Sequence, residues 1–371
     1  MLVCSRCHST FDISEPIWRC TCGSPLVLEK SPVAFPPGSK EKNGIWRYFD
    51  DRFFPGDSLT SLGEGGTPLV ERCVNGVPVW LKLDYLCPTG SYKDRGMAVL
   101  VSRLKAMGIR HVVEDSSGNA GSSMAAYCAA AGIACDVYVP EYTSAGKCVQ
   151  IAAYGAKLVR IPGTREDTTH AAEKAGESSF YASHNWSPWF PEGIKTWFLE
   201  VWERLPQIDN LVVPVGQGSI ALGAWLAIEQ LREMGLMQRM PRILAVQAEN
   251  CAPLAEAFYA GGDVPAKIEK KETVAEGIAS AEPVRGAEVL EAVRRTKGMF
   301  VMVNEDEIWS AFEDLAQAGI YVEPTSAATV AGWKKLLESG VLNSAQHTVL
   351  FLSGTGLKAT DKIGTHRELL K

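Results

Sequence analysis

The chain is organised around the sequence Pro88-Thr89-Gly90-Ser91-Tyr92-Lys93-Asp94-Arg95-Gly96. Gly90 allows a tight turn at little steric cost, and Ser91 is expected to cap the helix that starts after it. Lys93 then falls in the first helical turn, where its charge opposes the positive end of the helix dipole. The same repulsion helps to keep an amine neutral, and a neutral amine attacks an aldehyde. The alternative is a solvated lysine at a helix start, as most single lysines are.

Length and composition limit the classes of protein to consider. With 371 residues the chain is long enough for two domains and a small module. Its net charge of −6 offers no basic surface to nucleic acid, and no apolar run approaches the roughly 20 residues of a membrane helix. The N-terminus does not resemble a signal peptide. We therefore expect a cytoplasmic enzyme with no nucleic-acid or membrane partner.

Two close cysteine pairs mark residues 1–29 as a separate module. The four thiols belong to Cys4, Cys7, Cys20 and Cys22. Two such pairs can place four thiolates around one tetrahedral zinc ion, which predicts a zinc ribbon. The alternatives are a ribbon without metal, a disulfide-capable hairpin, or His8 as a rival ligand. The other six cysteines are scattered among apolar neighbours, and we expect them to be reduced core residues.

After an arm over residues 30–60, strand and helix patterns alternate from residue 77 onward, which indicates parallel sheets covered on both faces. The predicted strands are Val77–Leu83, Arg110–Glu114, Cys135–Val139, Lys157–Ile161, Leu211–Val215, Ile243–Gln247, Phe300–Val303 and Thr348–Leu352. The predicted helices are Asp94–Met107, Asn119–Ala131, Ser144–Tyr154, Ser219–Met234, Val284–Thr296, Glu305–Ala318 and Ser326–Glu338, followed by a short C-terminal helix.

A second motif, Asp115-Ser116-Ser117-Gly118-Asn119-Ala120-Gly121, follows a predicted strand and opens a helix. Hydroxyls and backbone N–H groups at a helix N-terminus bind a carboxylate. The amide of Asn119 can also hydrogen-bond a ring oxygen of a cofactor. The alternative is an ordinary Ser or Asn cap, which is common.

The third motif, Val215-Gly216-Gln217-Gly218-Ser219-Ile220, again joins a strand to a helix. Glycines let the backbone close around a phosphate, and the helix dipole favours the negative charge. A nucleotide would also suit such a loop. However, the spacings of a dinucleotide-binding fingerprint or a P-loop are absent, and no Gly-Lys-Ser/Thr occurs in the chain, so ATP is not expected.

The fourth motif is Leu352-Ser353-Gly354-Thr355-Gly356-Leu357-Lys358. Together the four motifs resemble, in kind and in order, those of threonine synthases, within the tryptophan-synthase-β-like family of pyridoxal-phosphate (PLP) enzymes. The segments Leu62–Leu69 and Glu323–Ala328 are also similar to segments of that family, and Glu323 is a candidate for lining the cleft.

The resemblance implies an α/β fold of two doubly wound domains, with the zinc-ribbon-like module at the N-terminus. Residues 97–202 would form a small domain inserted into a large PLP-binding domain made of 30–96 and 203–371. PLP would lie between the two domains. The family also implies a homodimer.

The resemblance further implies roles for individual residues. Lys93 would carry PLP through a Schiff base and act as the general base. Asn119 would contact O3′ of PLP, and the Ser353 hydroxyl would face the pyridine nitrogen. A neutral hydroxyl there does not force that nitrogen to be protonated, which suits elimination and replacement better than transamination. The substrate carboxylate would contact Ser116, Ser117 and Ala120, and the PLP phosphate would be bound by Gly216, Gln217, Gly218 and Ser219.

The implied activity is that of a lyase that converts O-phospho-L-homoserine and water into L-threonine and phosphate. Within the same class, the alternatives are a Ser/Thr ammonia-lyase and a β-replacement enzyme. From a different class, the alternative is an inactive PLP-binding regulatory protein with the ribbon as a docking module. Retention of Lys93 and of every motif for the cofactor argues against this last alternative.

The resemblance weakens in the segment 183–196. There, threonine synthases carry an arginine that can bind the substrate phosphate, whereas this segment is two residues longer and has Phe190 at the matching place. With Trp186 and Trp189, Phe190 would make this wall apolar, because an aromatic ring cannot replace a bidentate arginine. We therefore expect a preferred substrate that lacks the phosphate or binds it differently. The alternative is that the rings only pack, and that the phosphate is bound by His184, Lys195 or Arg165.

Overall fold

The computed structural model describes residues 1–37, 42–74, 76–143 and 145–369. Its residue contacts divide the chain into two compact units. Unit 1 consists of Met1–Gly66 and Cys87–Thr196, and unit 2 of Thr67–Leu86 and Trp197–Lys371. The sequence prediction instead groups residues 30–66 with the large domain. Their contacts assign them to unit 1, because the arm's aromatic rings pack on Trp189.

The regular elements cover most of both units. The strands are β1 (Leu2–Cys4), β2 (Thr10–Phe11), β3 (Leu26–Leu28), β4 (Leu69–Val74), β5 (Val77–Leu83), β6 (His111–Glu114), β7 (Ala134–Pro140), β8 (Lys157–Ile161), β9 (Phe180–Tyr181), β10 (Asn210–Pro214), β11 (Arg242–Ala248), β12 (Met299–Val303) and β13 (Thr348–Leu352). The α-helices are α1 (Lys93–Ala106), α2 (Asn119–Ala131), α3 (Ala145–Ala153), α4 (Arg165–Ala175), α5 (Phe190–Arg204), α6 (Ser219–Glu233), α7 (Pro253–Tyr259), α8 (Gly286–Arg295), α9 (Glu305–Gln317), α10 (Pro324–Glu338) and α11 (Thr360–Leu369). Short 3-10 helices cover Gly44–Tyr48, Asp51–Phe53, Gly56–Ser58, Asp84–Leu86, Glu249–Cys251, Glu276–Ile278 and Gly356–Lys358.

Unit 1 contains two sheets. The ribbon, residues 1–29, has an antiparallel sheet of order β2-β1-β3. The second sheet has the order β8-β7-β6-β9, and all its neighbours are parallel. Helices α2 and α4 pack on β7, and α1 packs on α2. This arrangement places the start of α2 after the carboxyl end of β6, where the second sequence motif lies.

Unit 2 is built on one sheet of order β12-β11-β10-β13-β5-β4. Its strands run parallel except β4, which pairs antiparallel with β5 at the edge. Helix α10 packs across β10 to β13 and belongs, with α9, to a large apolar cluster. The third and fourth sequence motifs follow β10 and β13, at the carboxyl ends of neighbouring strands.

The predicted alternation of strands and helices is confirmed, and so is the α/β fold class. The bounds of β5, β8, β13 and α2 agree with the sequence prediction, and Ser144, the predicted first residue of α3, lies outside the described residues. Among the described residues outside the ribbon, five strands and α-helices were not predicted, namely β4, β9, α4, α5 and α7. Among the helices of the described residues, none combines the length and apolar character of a membrane-spanning segment.

Candidate active site

Lys93 is the first residue of α1 and follows a turn that is fixed by its neighbour Asp94. The Asp94 carboxylate accepts hydrogen bonds from the backbone N–H and the hydroxyl of Thr89, at 2.7 and 2.6 Å. It also accepts one from the Ser123 hydroxyl of α2, at 2.6 Å. Asp94 thus ties the turn before Lys93 to α2, a role that sequence reasoning missed. The signal for it was an acidic residue in the first turn of a helix.

The prediction that Ser91 caps this helix is wrong. The residue at the N-cap is Tyr92, and no side chain caps the helix there. The Ser91 hydroxyl is fully buried and has no hydrogen-bond partner in the described part of the chain. Burying a hydroxyl without a hydrogen-bond partner is unfavourable in free energy. A polar ligand bound near Lys93, two residues further along the chain, would supply the missing partner.

The amine of Lys93 lies among aromatic rings. Its Nζ is 4.8 Å from the ring centroid of Tyr92 and 5.5 Å from that of Phe190. Within the described residues Lys93 forms no ion pair. Gly96, one turn further along α1, lies against the Phe190 ring, since a Cβ there would stand 2.3 Å from Cδ2 of that ring. An amine without a carboxylate partner is available for reaction with an aldehyde.

A buried acid and a buried imidazole lie beside Lys93. Nδ1 of His184 is 3.1 Å from Oε1 of Glu114, and both side chains are almost inaccessible to solvent. Burial, reinforced by the charge of Asp115, raises the pKa of Glu114 well above its ordinary value. Burial and the charge of Lys93 lower the pKa of His184 well below its ordinary value. Burial therefore favours the uncharged form of both side chains, which share a hydrogen bond between Oε1 of Glu114 and Nδ1 of His184.

The loop between β6 and α2 contains the predicted contacts to the substrate carboxylate. The Ser116 hydroxyl accepts from the backbone N–H of Gly118 at 3.3 Å, and no side chain caps the start of α2. Ala120 is buried, whereas Ser116 and Ser117 are half-buried. A Cβ at Gly121 would stand 1.8 Å from the carbonyl oxygen of Ser116, so this helical turn requires glycine. The loop thus ends at an uncapped helix N-terminus, whose N–H groups can bind an anion.

Asp115, at the start of the same loop, is held by α4. Arg165 donates to its carboxylate at 2.9 Å, and the Thr169 hydroxyl donates at 2.8 Å. Arg165, one of the three residues considered as alternative ligands of a substrate phosphate, is therefore already paired with Asp115. Sequence reasoning did not predict α4, so it could not predict this contact.

The aromatic residues of the segment 183–196 all pack within unit 1. Phe190 is fully buried and lies 5.2 Å, ring to ring, from His184. Trp189 packs on Phe53 and Phe54 of the arm, and Trp186 contacts Trp18 of the ribbon. The other proposed phosphate ligand of this segment, Lys195, forms a buried ion pair of 2.8 Å with Glu192 and donates to the Ser31 hydroxyl.

In unit 2, the predicted phosphate loop lies between β10 and α6. Gly218 has φ of +85° and is the N-cap of α6, with no side chain capping the helix. A Cβ at Gly216 would stand 2.8 Å from Cα of Ile278, so the loop accepts only glycine there. The Gln217 side chain donates to the Ser280 hydroxyl and accepts from the backbone N–H of Val284. Gln217 can therefore offer a ligand its backbone N–H, which fits a phosphate cradle.

Ser353, at the end of β13, is held by two neighbours. Its hydroxyl lies 3.1 Å from the Ser326 hydroxyl and donates to Oε1 of Glu323 at 3.2 Å. A Cβ at Gly354 would overlap the Glu323 carboxylate, at 2.4 Å. Sequence reasoning gave Glu323 only a possible place in the cleft, whereas the structure shows it orienting the Ser353 hydroxyl. The oxygen of Ser353 keeps lone pairs for a ligand.

The four ribbon cysteines form one cluster. Their Sγ atoms all lie within 4.8 Å of one another, and the pairs Cys4/Cys22 and Cys7/Cys20 are 3.5 Å apart. A tetrahedral zinc site with Zn–S bonds of about 2.3 Å requires Sγ separations of roughly 3.8 Å, so the cluster fits zinc. The backbone N–H groups of Arg6 and Cys7 donate to Sγ of Cys4. All ten cysteines are reduced, and His8 lies outside this group of ligand atoms.

Comparison with known proteins identifies the family. Residues 60–354 match the family described as "Pyridoxal-phosphate dependent enzyme". The chain belongs to this family. It is 34% identical to the threonine synthase of Methanocaldococcus jannaschii, over 96% of this chain and 93% of that protein. It is also 34% identical to the threonine synthase of Mycobacterium leprae, over 86% and 89% of the two chains.

Solved structures agree with this assignment at the level of the fold. Maize serine racemase superposes with a TM-score of 0.68 at 21% identity, covering 82% of this chain and 92% of that chain. The processed form of threonine deaminase isoform 2 from Solanum lycopersicum gives a TM-score of 0.68 at 20% identity, covering 89% and 94%. The predicted PLP-enzyme fold is confirmed, and the chain is a threonine-synthase-like member of the family.

Proposed function

We propose that the protein converts O-phospho-L-homoserine and water into L-threonine and phosphate, as a PLP-dependent lyase. The observation that carries the proposal is Lys93, placed by Asp94 at the start of α1, among rings and without an ion pair in the described part of the chain. Identity of 31–34% to threonine synthases over most of the chain supports this reaction.

In unit 1, we propose Lys93 and Asn119 as cofactor-binding residues. Lys93 would bond the aldehyde carbon of PLP, and the Asn119 amide would hydrogen-bond O3′. The buried, unpaired hydroxyl of Ser91 supports a polar ligand at this place. We propose that Ser116, Ser117 and Ala120 bind the substrate carboxylate. The uncapped helix start at α2 supports this second role.

In unit 2, we propose that the loop Gly216, Gln217, Gly218 and Ser219 binds the PLP phosphate. The close approach of Ile278 to Gly216 and the uncapped start of α6 support this role. We propose that the hydroxyl of Ser353, oriented by Glu323, contacts the pyridine nitrogen. When bound, PLP supplies an aldehyde that condenses with the substrate amine and a ring that withdraws electrons from the substrate carbons.

Lys93 then performs the proton transfers that the net reaction requires. The reaction breaks the Cγ–O bond, adds a hydroxyl group at Cβ and leaves hydrogen at Cγ. The amine of Lys93 removes the proton at Cα and returns protons to the substrate as general acid. Burial shifts the pKa values of Glu114 and His184 toward their uncharged forms, so the fold favours no counter-charge from either side chain beside this amine.

A second candidate function is deamination of serine or threonine by the same cofactor. The observation in its favour is the segment 183–196, where Phe190 occupies the place of the family's phosphate-binding arginine and is fully buried. Lys195, the other cation of this segment, is paired with Glu192. A substrate without a phosphate group would need no cation from this wall.

Side-by-side turnover distinguishes the two functions. Purified protein loaded with PLP is assayed with O-phosphohomoserine, O-phosphoserine, serine and threonine. We expect kcat/KM for O-phosphohomoserine above about 10⁴ M⁻¹s⁻¹, a typical value for a true substrate, with equal amounts of threonine and phosphate. Release of ammonia from serine or threonine with a higher kcat/KM would overturn the proposal in favour of the lyase of unphosphorylated amino acids.

The role of Lys93 is tested in the same assay. We expect Lys93→Ala to lower kcat by about 10³-fold or more with the fold intact, because no other amine lies in the motif. Lys105→Ala, in the last turn of the same helix, is the matched control and should retain activity. Activity of Lys93→Ala at a tenth of wild type or more would refute the assignment.

We also propose a structural zinc ion on the four ribbon cysteines, and a cytoplasmic homodimer. Four thiolate ligands leave no open position for substrate, so the metal would not take part in the chemistry. Ten reduced cysteines support a reducing compartment. Light scattering of the purified protein measures the oligomeric state, and a monomer mass would contradict the dimer.

A further inference from the structure

Trp18 joins the ribbon to the segment that leads to Phe190. It lies between the two cysteine pairs in the chain. Its ring meets Tyr181 at a centroid distance of 4.9 Å and an interplanar angle of 86°. It meets Trp186 at 5.4 Å and 83°. Both contacts are edge-to-face, the arrangement that aromatic rings prefer. Because His184 lies between Tyr181 and Trp186, Trp18 contacts both flanks of the residue that pairs with Glu114.

The same ring is part of an apolar cluster that includes the residue before Glu114. The cluster consists of Val113, Ala172 and Tyr181, with Trp18, Tyr138, Ala175 and Trp186 packed against it. Val113 is the residue of β6 that precedes Glu114, and Ala172 belongs to α4, which also supplies Arg165 to Asp115. A residue of the ribbon thus helps to fill the core on which the loop 115–121 rests.

Arg103 provides a second link, from the ribbon to α1. Its side chain is 6% exposed, and its Nη2 donates to the carbonyl of Ile13 in the ribbon at 3.2 Å. Its Nη1 donates to the carbonyl of Phe53, and the guanidinium lies 4.4 Å over the Trp189 ring. In the described part of the chain Arg103 has no carboxylate partner, and burial lowers its pKa. A buried cation without a counter-charge depends on such contacts, and the ribbon supplies one of them.

Arg103 and Trp18 connect the ribbon to two elements near Lys93. Arg103 lies on α1, which starts at Lys93, and Trp18 packs on the segment that carries His184 and Phe190. A ribbon that merely covered apolar surface would not need to contact both elements. We propose that the ribbon is a positioning module for Lys93, with Trp18 and Arg103 as its linking residues. The inference rests on the proposed role of Lys93 as the PLP-binding lysine.

The experiment compares PLP-loaded wild type with Trp18→Ala, Trp18→Phe and Trp309→Ala. Trp309 is the matched control, because it is also a half-buried tryptophan packed against two rings but lies in α9 of unit 2. Three properties are measured without substrate: the visible circular dichroism of bound PLP, the dissociation constant of PLP, and hydrogen exchange of peptides spanning 93–107 and 180–190.

We expect Trp18→Ala to weaken PLP binding by about tenfold and to reduce the visible dichroism, because Lys93 loses its fixed orientation. Exchange in both peptides should become about fivefold faster or more. Trp18→Phe should restore most of each property, since it keeps an edge-to-face ring. Trp309→Ala should match wild type in all three.

Unchanged dichroism and unchanged exchange in both peptides, with faster exchange only inside the ribbon, would overturn the proposal and make the ribbon a passive cover. If Trp18→Ala does not fold, Arg19→Ala takes its place, because Arg19 stacks on Trp18 and pairs with Glu173. The same three properties are then compared between Arg19→Ala and Trp18→Phe, and the same outcomes support or overturn the proposal. No readout requires turnover. A wild type that binds PLP but does not form threonine would therefore refute the proposed reaction and leave this test intact.

Discussion

Glu114 and His184 illustrate how burial sets the protonation of side chains next to a reactive amine. The pKa of Glu114 is raised chiefly by burial and then by Asp115, whereas Arg165, a hydrogen bond from the backbone of His184 and the charge of Lys93 act against that rise. Folded wild type therefore keeps a proton on Glu114 at pH values where the unfolded chain has lost it. This preference makes folding less favourable as pH rises above about 4.3, the ordinary value of a glutamate in an unfolded chain.

We predict that Glu114→Gln stabilises the protein relative to wild type by an amount that grows with pH. The glutamine imitates the neutral acid and can still form a hydrogen bond with Nδ1 of His184, but it has no proton to lose. Between about pH 6 and pH 8, the difference in free energy of unfolding should grow with pH, at no more than about 1.4 kcal/mol per pH unit.

Urea denaturation of both proteins at the two pH values measures this difference. Glu141→Gln, an exposed position of the same unit, is the control and should show no such growth. His184 is present in all three proteins, so its own titration largely cancels in the comparison. A difference that is constant with pH would mean that Glu114 is ionised in the fold.

At the scale of elements, two glycines allow α1 and α5 to approach closely. A Cβ at Gly193 would stand 2.1 Å from the carbonyl oxygen of Arg95 and 2.8 Å from Cα of Gly96. A Cβ at Gly96 would meet the Phe190 ring. The backbone of α1, three residues after Lys93, is therefore in direct contact with the helix that begins at Phe190.

We predict that Gly193→Ala destabilises the protein by about 1–3 kcal/mol or more, because the added methyl group meets backbone atoms that cannot rotate away. Gly364→Ala in α11 is the control, since a Cβ there meets nothing within 4 Å. It should be neutral or stabilising by up to about 1 kcal/mol, the helix preference of alanine over glycine. Chemical denaturation measures both, and equal stabilities of the two variants would contradict the close contact.

The elements that sequence analysis missed carried local signals. Thr164 and Asp167 form a capping box at the start of α4, which is readable in the sequence as Thr-Arg-Glu-Asp. The Asn75-Gly76 pair before β5 is a common hairpin sequence and predicts the preceding strand β4. Helix α5 was harder to predict, because its proline and glycine near the N-terminus obscure the helical period.

At the scale of the whole molecule, the sequence could locate the motifs but not their partners. Motifs of contiguous residues placed Lys93, the loop 115–121 and the loop 216–219 correctly at the starts of α1, α2 and α6. The contacts that join the motifs to other elements link residues far apart in sequence, such as Ser123 and Asp94, 29 positions apart, and His184 and Glu114, 70 positions apart. Such pairs are fixed by tertiary packing, and a single sequence contains no local pattern that predicts them.

The four cysteines of the ribbon predict the zinc content of the protein. We expect about one zinc ion per chain in protein purified without chelator, because four thiols lie at separations that suit a tetrahedral ion. Cys22→Ser removes one thiolate and should lower the zinc content to a small fraction of that value. Cys73→Ser is the matched control, since Cys73 is also an exposed, reduced cysteine but lies in β4 of unit 2.

Elemental analysis of the three proteins measures the metal, and hydrogen exchange locates its effect. Loss of zinc should speed exchange in the ribbon and, through Trp18 and Arg103, in α1 and the segment 180–190, while peptides of β10 to β13 in unit 2 keep their wild-type rates. This pattern is expected because the two links from the ribbon end inside unit 1. Wild type without zinc would refute the metal site. Full zinc in Cys22→Ser would mean that another side chain, such as His8, completes the coordination.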